Sequence, residues 1–153
     1  MGHYKSNLRD LEFNLFEVFR RQDLLGSGPY ADLDEDTARS ILDEVSRLAE
    51  GPLAESFEDA DRNPPEYDPA TGTVKIPESF KKSYKAWMDA EWYRLDLGPD
   101  FGGTGAPRSL TWAVAEQVLG ANPAVYMYAS GPGFAQILWH IGTPDQKRFA
   151  ELA

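Results

Sequence analysis

Residues 34–50, which read DEDTARSILDEVSRLAE, decide the fold. Their apolar members recur at intervals of three and four positions, which places them on one face of an α-helix. The carboxylates at positions 34–36 suit the first turn of that helix, because the positive end of the helix dipole lies there. We therefore predict an amphipathic helix that buries one face against other helices. The apolar positions are Ala38, Ile41, Leu42, Val45, Leu48 and Ala49.

Helical patterns recur on both sides of this stretch, and strand patterns are nearly missing. Helix–helix packing must then supply the core, so we predict an all-α domain. The one segment with extended character covers residues 73–76. The other predicted helices cover residues 6 to about 24, 53–61 and 107–119, and three more begin at Pro77, Asn122 and Thr143.

Glycine, proline and capping residues mark where these helices begin, end or break. Gly120 is predicted as the left-handed residue that ends the helix over 107–119. Pro132 must kink or split the helix that Asn122 caps. Thr143 and Gln146 form a capping box. The helix that begins there has about three turns before residue 153 and no C-terminal cap signal. We therefore expect a piece of a longer polypeptide or a split gene product.

Composition argues against several classes of protein. The formal net charge of −10 disfavours nucleic acid as a partner, because phosphate binding needs a basic face. The chain has no cysteine, which excludes thiolate chemistry and fits a reducing compartment. It shows neither an apolar leader nor an uninterrupted apolar segment of membrane length. We therefore expect a cytoplasmic protein without a membrane span.

Motifs that would indicate catalysis or ligand binding are few. His3 and His140 are the only histidines, and neither has a second ligand at the spacing of a metal site. The glycines of residues 102–105 are interpreted as tight turns, because a phosphate-binding loop would follow a strand and carry Lys-Ser/Thr. Residues 107–119 are apolar nearly all round, which predicts a buried helix, and Glu116 lies inside this pattern. A carboxylate there must be ion-paired or line a pocket, and both roles remain open.

Three motifs, at residues 98–105, 115–120 and 142–147, occur in a fixed order in the second half of the chain. Together they resemble the N-terminal helical domain of the acyl-CoA dehydrogenase family. Asp100 and Phe101 are mild departures from the Glu and Tyr that are usual in the family. Residues 3–18, 50–56 and 61–65 are similar to a larger, actinobacterial-type subgroup with an N-terminal extension. The motifs are Gly98-Pro99-Asp100-Phe101-Gly102-Gly103-Thr104-Gly105, Ala115-Glu116-Gln117-Val118-Leu119-Gly120 and Gly142-Thr143-Pro144-Asp145-Gln146-Lys147.

The resemblance implies a fold and an activity. The fold is an orthogonal helical bundle, with an extension at residues 1–30 and the dehydrogenase N-terminal domain at 31–153, truncated before the middle β-domain. The family reaction is the FAD-dependent α,β-dehydrogenation of a fatty acyl-CoA. In the family, the glutamate base and the principal flavin contacts lie in later domains. The resemblance therefore assigns no catalytic, FAD-binding or metal-binding residue to this chain and implies that it is inactive alone.

The resemblance also implies that this domain helps to form the acyl-chain pocket. The implied partners are the acyl-CoA substrate and the remaining dehydrogenase domains, and apolar faces at residues 112–119 and 125–139 would favour self-association. One alternative function is a stand-alone helical interaction module derived from this domain. Another keeps the enzyme and places its other domains on a second polypeptide. The candidate substrate-binding residues, for each of which core packing is the alternative, are Trp112, Glu116, Met127, Tyr128 and Gly131.

Overall fold

A computed structural model describes residues 2–150, most of which are helical. The all-α prediction is confirmed, with the addition of a small two-stranded hairpin. Strands β1 (Glu66–Asp68) and β2 (Thr73–Lys75) pair antiparallel and are exposed, so they contribute nothing to the core. The α-helices are α1 (Leu8–Glu12), α2 (Glu35–Leu48), α3 (Phe57–Arg62), α4 (Glu78–Ala90), α5 (Arg108–Ala121), α6 (Pro123–Tyr128), α7 (Gly131–Ile141) and α8 (Pro144–Ala150).

Helix α2 forms as the sequence predicts. Asp34 caps it, because the carboxylate accepts a hydrogen bond from the Thr37 amide with 2.8 Å between Oδ1 and N. Such a cap pairs one of the amides that have no partner inside the helix. The apolar face of α2 packs against α5, and Leu42 and Val45 are fully buried.

The prediction of one helix over residues 6 to about 24 is wrong. Helix α1 passes into a wider π-helical turn, Phe13–Val18, and Arg20 then adopts a left-handed conformation with φ of 49°. A π turn holds more residues than an α turn, so the face that meets the core rotates. Leu15 and Phe16 become buried, whereas Phe19 is 58% exposed.

Tight turns join α2 to α3. The helix predicted over residues 53–61 therefore begins four residues later, at Phe57. The chain forms a π turn at Ala49–Leu53 and a 3-10 turn at Ala54–Ser56. Gly51 has non-helical dihedral angles there, and Pro52 lacks the amide hydrogen that an α-helix requires. The turns carry buried side chains, so they form part of the core.

Gly120 does not end α5, so that prediction is wrong. The helix continues through it to Ala121 and begins one residue after Pro107, which serves as its cap. Glycine is needed here for a different reason, since a Cβ atom at position 120 would overlap the ring of Tyr4. The small residue allows the beginning of the chain to lie against α5.

We call residues 2–7 the N-terminal strap. The His3 ring stacks on Phe57 with 4.3 Å between ring centroids. Ser6 Oγ donates a hydrogen bond to Gln117 Oε1 at 2.8 Å. Gln117 is fully buried, and its Nε2 donates in turn to the Leu42 carbonyl at 3.3 Å. One buried amide on α5 therefore connects the strap to α2.

Asn122 caps α6, as predicted, and it also ends α5. Its Oδ1 accepts a hydrogen bond from the Val125 amide at 3.4 Å. Its Nδ2 donates to the Leu53 carbonyl at 3.1 Å and to the Ser56 hydroxyl at 3.0 Å. The buried side chain therefore caps one helix and holds the turns before α3 against it.

The last described helices follow the predicted boundaries. Pro132 lies in the first turn of α7, so the apolar run is split into α6 and α7. The capping box forms, since the Thr143 amide donates to Gln146 Oε1 at 2.8 Å and the Gln146 amide donates to Thr143 Oγ1 at 3.4 Å. The predicted absence of a C-terminal cap concerns residues 151–153, outside the described residues. None of the helices within residues 2–150 is long and apolar enough to cross a membrane.

Replacement of Asn122 by alanine should lower the free energy of unfolding by about 2–4 kcal/mol. The change removes a helix cap and leaves the buried Leu53 carbonyl and Ser56 hydroxyl without their donor. Urea denaturation followed by circular dichroism measures the loss. The control is Asn7→Ala, which should cost less than about 0.5 kcal/mol, because Asn7 precedes α1 without a side-chain cap bond. Equal losses in the two variants would contradict the role assigned to Asn122.

Candidate functional site

A narrow cleft of about 140 Å³ opens between α5 and α4, with further walls from α6 and the first turn of α7. We call it the tryptophan cleft, because three of the four tryptophans of the chain line it. Its lining is mostly apolar, and its polar side chains gather near Tyr126 and Arg108. The aromatic and aliphatic lining residues are Trp87, Trp92, Trp112, Leu95, Leu97, Val114, Ala115 and Ala129.

A bend after α4 brings these aromatic side chains together. Glu91 adopts a left-handed conformation with φ of 57° and turns the chain into a 3-10 turn, Trp92–Leu95. Few residues other than glycine adopt this conformation. Trp87 before the bend and Trp92 after it then line the same cleft. The small side chain of Ala115 on α5 leaves space between the helices.

An ion pair lies at the cleft. Arg108 Nη1 is 2.8 Å from Asp96 Oδ1, and the Arg108 guanidinium lies 5.7 Å from the centroid of the Trp112 ring. Both charged side chains are largely exposed, so the pair contributes little to stability. Burial raises the pKa of Tyr126, the Asp96 carboxylate raises it further, and Arg108 opposes the increase. The Tyr126 phenol is therefore protonated at neutral pH.

Trp87 lines the cleft and carries a buried donor. Its side chain is only 2% exposed, and its Nε1 has no hydrogen-bond acceptor among the described residues. Two hydroxyl groups that line the cleft donate to backbone carbonyls. Ser130 Oγ donates to the Tyr126 carbonyl at 3.0 Å, and Thr111 Oγ1 donates to the Arg108 carbonyl at 3.1 Å. The Trp87 N–H is thus a buried donor without an acceptor among the described residues, which is rare in folded proteins.

A second, more open concavity of about 810 Å³ lies between the N-terminal region and α5. We call it the N-terminal groove. Leu11, Leu15 and Phe19 line it from the N-terminal side, and Trp112 and Glu116 line it from α5. Trp112 also lines the tryptophan cleft, so this side chain stands between the two spaces.

The glycine-rich loop at residues 98–105 is a tight turn, as predicted. Its amides from residue 101 to residue 105 all donate to carbonyls of residues 94–99, at 2.8–3.2 Å. Gly102 and Gly105 have positive φ angles, and a Cβ atom at Gly103 would overlap the Leu97 carbonyl. The Gly98 amide donates to Gln136 Oε1 at 2.8 Å, which ties the loop to α7. These amides are therefore already paired and do not form a phosphate cradle.

The predicted substrate-binding residues lie in three places. Trp112 is 56% exposed and lines both the cleft and the groove, whereas Glu116 is exposed and lines the groove. Met127 and Tyr128 are 71% and 57% exposed on α6. Gly131 is the first residue of α7. The structure therefore brings Trp112 and Glu116 together and leaves the other three outside both concavities.

The prediction that α5 is buried on nearly all sides is wrong. Only part of its circumference packs against the core, and Trp112 and Glu116 are exposed beside the groove. The Glu116 carboxylate is therefore hydrated and does not require an ion-pair partner. The buried polar residue of this helix is its neighbour Gln117, whose amide is hydrogen-bonded at both ends.

The sequence does not single out three residues that matter at the cleft. Trp87 lies in the helix predicted to begin at Pro77, and periodicity cannot distinguish a tryptophan that fills the core from one beside a cleft. Tyr126 and Ser130 lie in the apolar run that Pro132 splits. The break at Pro132 was a usable signal, because the residues around it line the cleft.

Curated proteins similar to the chain include two dehydrogenases. The broad-specificity linear acyl-CoA dehydrogenase of Mycobacterium tuberculosis is 56% identical over all 153 residues, which cover 25% of that protein. The 3-methylmercaptopropionyl-CoA dehydrogenase of Ruegeria pomeroyi is 25% identical over 119 residues, which are 78% of this chain and 20% of that protein. No profile of a known protein family matches the chain.

The chain matches the N-terminal region of an acyl-CoA dehydrogenase. The predicted resemblance to this family is therefore confirmed. The match extends through the N-terminal strap and α1, because it covers every residue of the chain. The chain spans a quarter of the length of the mycobacterial dehydrogenase.

The described residues do not fit FAD, the cofactor implied by the resemblance to acyl-CoA dehydrogenases. The tryptophan cleft is too small, since pockets for ligands of such size measure about 300–1,000 Å³. The N-terminal groove sets the carboxylates of Asp10 and Glu116 beside the Arg21 guanidinium, and this net negative set would repel a pyrophosphate. Residues 2–150 also contain no group of three or more histidine and carboxylate side chains that could hold a metal ion.

Helices α6–α8 carry large apolar side chains that are more than half exposed. Isolated exposed apolar residues are common, but several on neighbouring helices indicate a surface that contacts another protein or domain. We call them the C-terminal apolar residues. They are Met127, Tyr128, Phe134, Ile137, Ile141 and Phe149.

The Tyr126→Phe variant should lose less stability in alkaline solution than the unchanged chain. Because burial raises the folded-state pKa of Tyr126, the unfolded chain releases the phenolic proton first, at about pH 10. This contribution to stability is complete below that pH and is lost as the pH rises through the folded-state pKa. Urea denaturation at about pH 9 and about pH 11 measures the change on either side of the unfolded-state pKa.

Tyr67→Phe is the matched control for this measurement. Tyr67 lies on the exposed hairpin, so the variant should lose as much stability as the unchanged chain. A Tyr126→Phe variant with the same alkaline loss as Tyr67→Phe would contradict the buried environment of the Tyr126 phenol.

Proposed function

We propose that the chain is the N-terminal helical domain of an FAD-dependent enzyme that dehydrogenates linear acyl-CoA thioesters between the α and β carbons. The 56% identity to a linear acyl-CoA dehydrogenase over all 153 residues carries this proposal. In this proposal residues 1–30 form an extension and residues 31–153 form the domain. FAD and the base that removes the α-proton belong to the remaining domains, so no chemical step falls to this chain.

We propose that the tryptophan cleft forms the distal end of the acyl pocket. Its apolar lining suits a hydrocarbon chain, which binds through the apolar area that it removes from water. Trp112 stands between the cleft and the N-terminal groove and limits how far an acyl chain extends. Glu116 lies beyond this limit, where its hydrated carboxylate disfavours a hydrocarbon chain.

We propose a different role for Met127, Tyr128 and Gly131, which lie outside both concavities. These three residues and the remaining C-terminal apolar residues, Phe134, Ile137, Ile141 and Phe149, contact the other dehydrogenase domains and approach acyl-CoA only in the assembled enzyme. Burial of this surface removes exposed apolar area from water. In the isolated chain the same surface favours self-association.

The chain should be inactive alone and active within a complete dehydrogenase. The test is a chimera in which this chain replaces the matched N-terminal quarter of the Mycobacterium tuberculosis relative. We expect the isolated chain to bind no flavin and to leave acyl-CoA unchanged. The chimera should show flavin absorbance and reduce an electron acceptor with acyl-CoA as substrate.

The matched control is the relative without its N-terminal quarter, which should be inactive. Stoichiometric flavin on the isolated chain would contradict the proposal. A chimera that folds and binds flavin but has no activity would favour the alternative, a stand-alone interaction module. Both outcomes are read from an absorbance spectrum and an activity assay on the same preparations.

Replacement of Trp112 by alanine in the chimera should shift the preferred acyl chain towards greater length. Each further methylene group that enters the freed space is worth about 0.8 kcal/mol, or about a fourfold gain in kcat/KM. The measurement is kcat/KM across a series of linear acyl-CoA substrates. Trp139→Ala is the control, because Trp139 packs against Phe101 and does not line the cleft. Identical profiles for the two variants would exclude Trp112 as the limit.

A further inference from the structure

The N-terminal groove is an apolar concavity to which the proposed function assigns no guest. Leu11, Leu15 and Phe19 line it from one side, and Trp112 and Leu119 line it from α5. Phe19 and Trp112 are each more than half exposed, so two large aromatic side chains stay in contact with water. Exposed aromatic side chains in a concave apolar surface are frequent anchors for a protein partner. None of the lining residues belongs to α6–α8, so the groove is distinct from the C-terminal apolar residues.

The walls of the groove favour a helix as its occupant. They are built from α1, the turns that follow it and α5, and no lining residue lies in a strand. Most backbone groups of such walls are hydrogen-bonded within their own turns, so an extended peptide would find few backbone partners. The uncharged polar side chains are those of Asn14 and Ser109, and Asn14 Nδ2 already donates to the Asp10 carbonyl at 2.9 Å. A helix pairs its own backbone and needs only an apolar surface.

The charged side chains of the groove select the charge of that helix. Asp10 and Glu116 supply two carboxylates, and Arg21 supplies one guanidinium, which lies 5.7 Å from the centroid of the Phe19 ring. All three charges are exposed, and within residues 2–150 none of them forms an ion pair. An uncharged apolar helix would dehydrate the two carboxylates without a counter-charge for each. Lysine or arginine beside the apolar face of the helix supplies these counter-charges.

We propose that the N-terminal groove docks a cationic amphipathic helix of a separate partner protein. The apolar face of this helix lies on Phe19 and Trp112, and its basic side chains pair with Asp10 and Glu116. A second copy of the chain is disfavoured, because each copy carries a net charge of −10. The same net charge attracts a cationic partner. The inference does not rest on the proposed function, because the groove lies beyond the Trp112 limit of the acyl pocket.

The test measures by fluorescence anisotropy how a fluorescein-labelled peptide binds to the 153-residue chain. The probe is a helical peptide of about 15 residues, with leucine on one face and lysine on the other. In the matched peptide, glutamate replaces every lysine. We expect the lysine peptide to bind at least about tenfold more tightly than the glutamate peptide.

Charge reversal locates the bound peptide. Glu116→Lys and Asp10→Lys should each weaken binding of the lysine peptide about fivefold, because an attractive pair becomes a repulsive one. Both variants should strengthen binding of the glutamate peptide. Glu55→Lys is the matched control, since Glu55 is exposed, lies outside the groove and changes the net charge equally. Its effect should stay below about twofold.

An aromatic substitution tests the apolar part of the surface. Phe19→Ser should weaken binding of the lysine peptide about tenfold, because it removes apolar area from the contact. Val18→Ser is the matched control, since Val18 is 51% exposed and does not line the groove. All the substituted side chains are exposed, so the variants should stay folded, which circular dichroism verifies. Two carboxylates and one aromatic ring keep the test decisive if one variant does not fold.

Four results would overturn the inference. Equal losses in Glu116→Lys and Glu55→Lys would trace the attraction to net charge alone, and equal losses in Phe19→Ser and Val18→Ser would place the peptide outside the groove. A dimer in sedimentation velocity that Glu116→Lys dissociates would assign the groove to a second copy. A folded chimera that no longer binds the peptide would assign it to the remaining dehydrogenase domains. An inactive chimera that still binds the peptide supports the docking surface and removes only the proposed function.

Discussion

The Asn122 side chain holds three parts of the chain at one buried point. It lies where α5 passes into α6 and reaches the Leu53 carbonyl, 69 positions earlier in the sequence. Because its donors and its acceptor are all used, any substitution leaves partners unpaired in a place that water does not enter. The tryptophan cleft depends on this junction, since α5 and α6 both line it.

Features decided by near neighbours in sequence were predictable. The buried face of α2, the cap at Asn122 and the Thr143–Gln146 capping box each involve residues within one or two helical turns. The π turn after α1 and the role of Gly120 were not predictable. Both depend on contacts between distant segments, such as the Tyr4 ring against α5, and periodicity contains no information about these.

The same distinction applies to the candidate site. Trp112 and Glu116 could be named as candidates, because Glu116 lies in the family motif at residues 115–120 and Trp112 lies about one turn earlier on the same helix. The unpaired N–H of Trp87 could not be predicted from the sequence. An aromatic residue at helical spacing indicates the core whether or not its N–H has an acceptor. The cleft exists because a left-handed Glu91 bends the chain after α4, and glutamate is not a residue that predicts this conformation.

The hydrogen bond between Ser6 and Gln117 joins residues 111 positions apart, with consequences for how the domain is made. The N-terminal strap leaves the ribosome well before α5 is synthesised. At about 5–20 residues per second, the delay is on the order of ten seconds, far longer than a helix or a short loop needs to form. Throughout that time the strap has no partner for its hydroxyl or for the Tyr4 ring. The strap is thus made before its binding site exists and takes its place only after that site is complete.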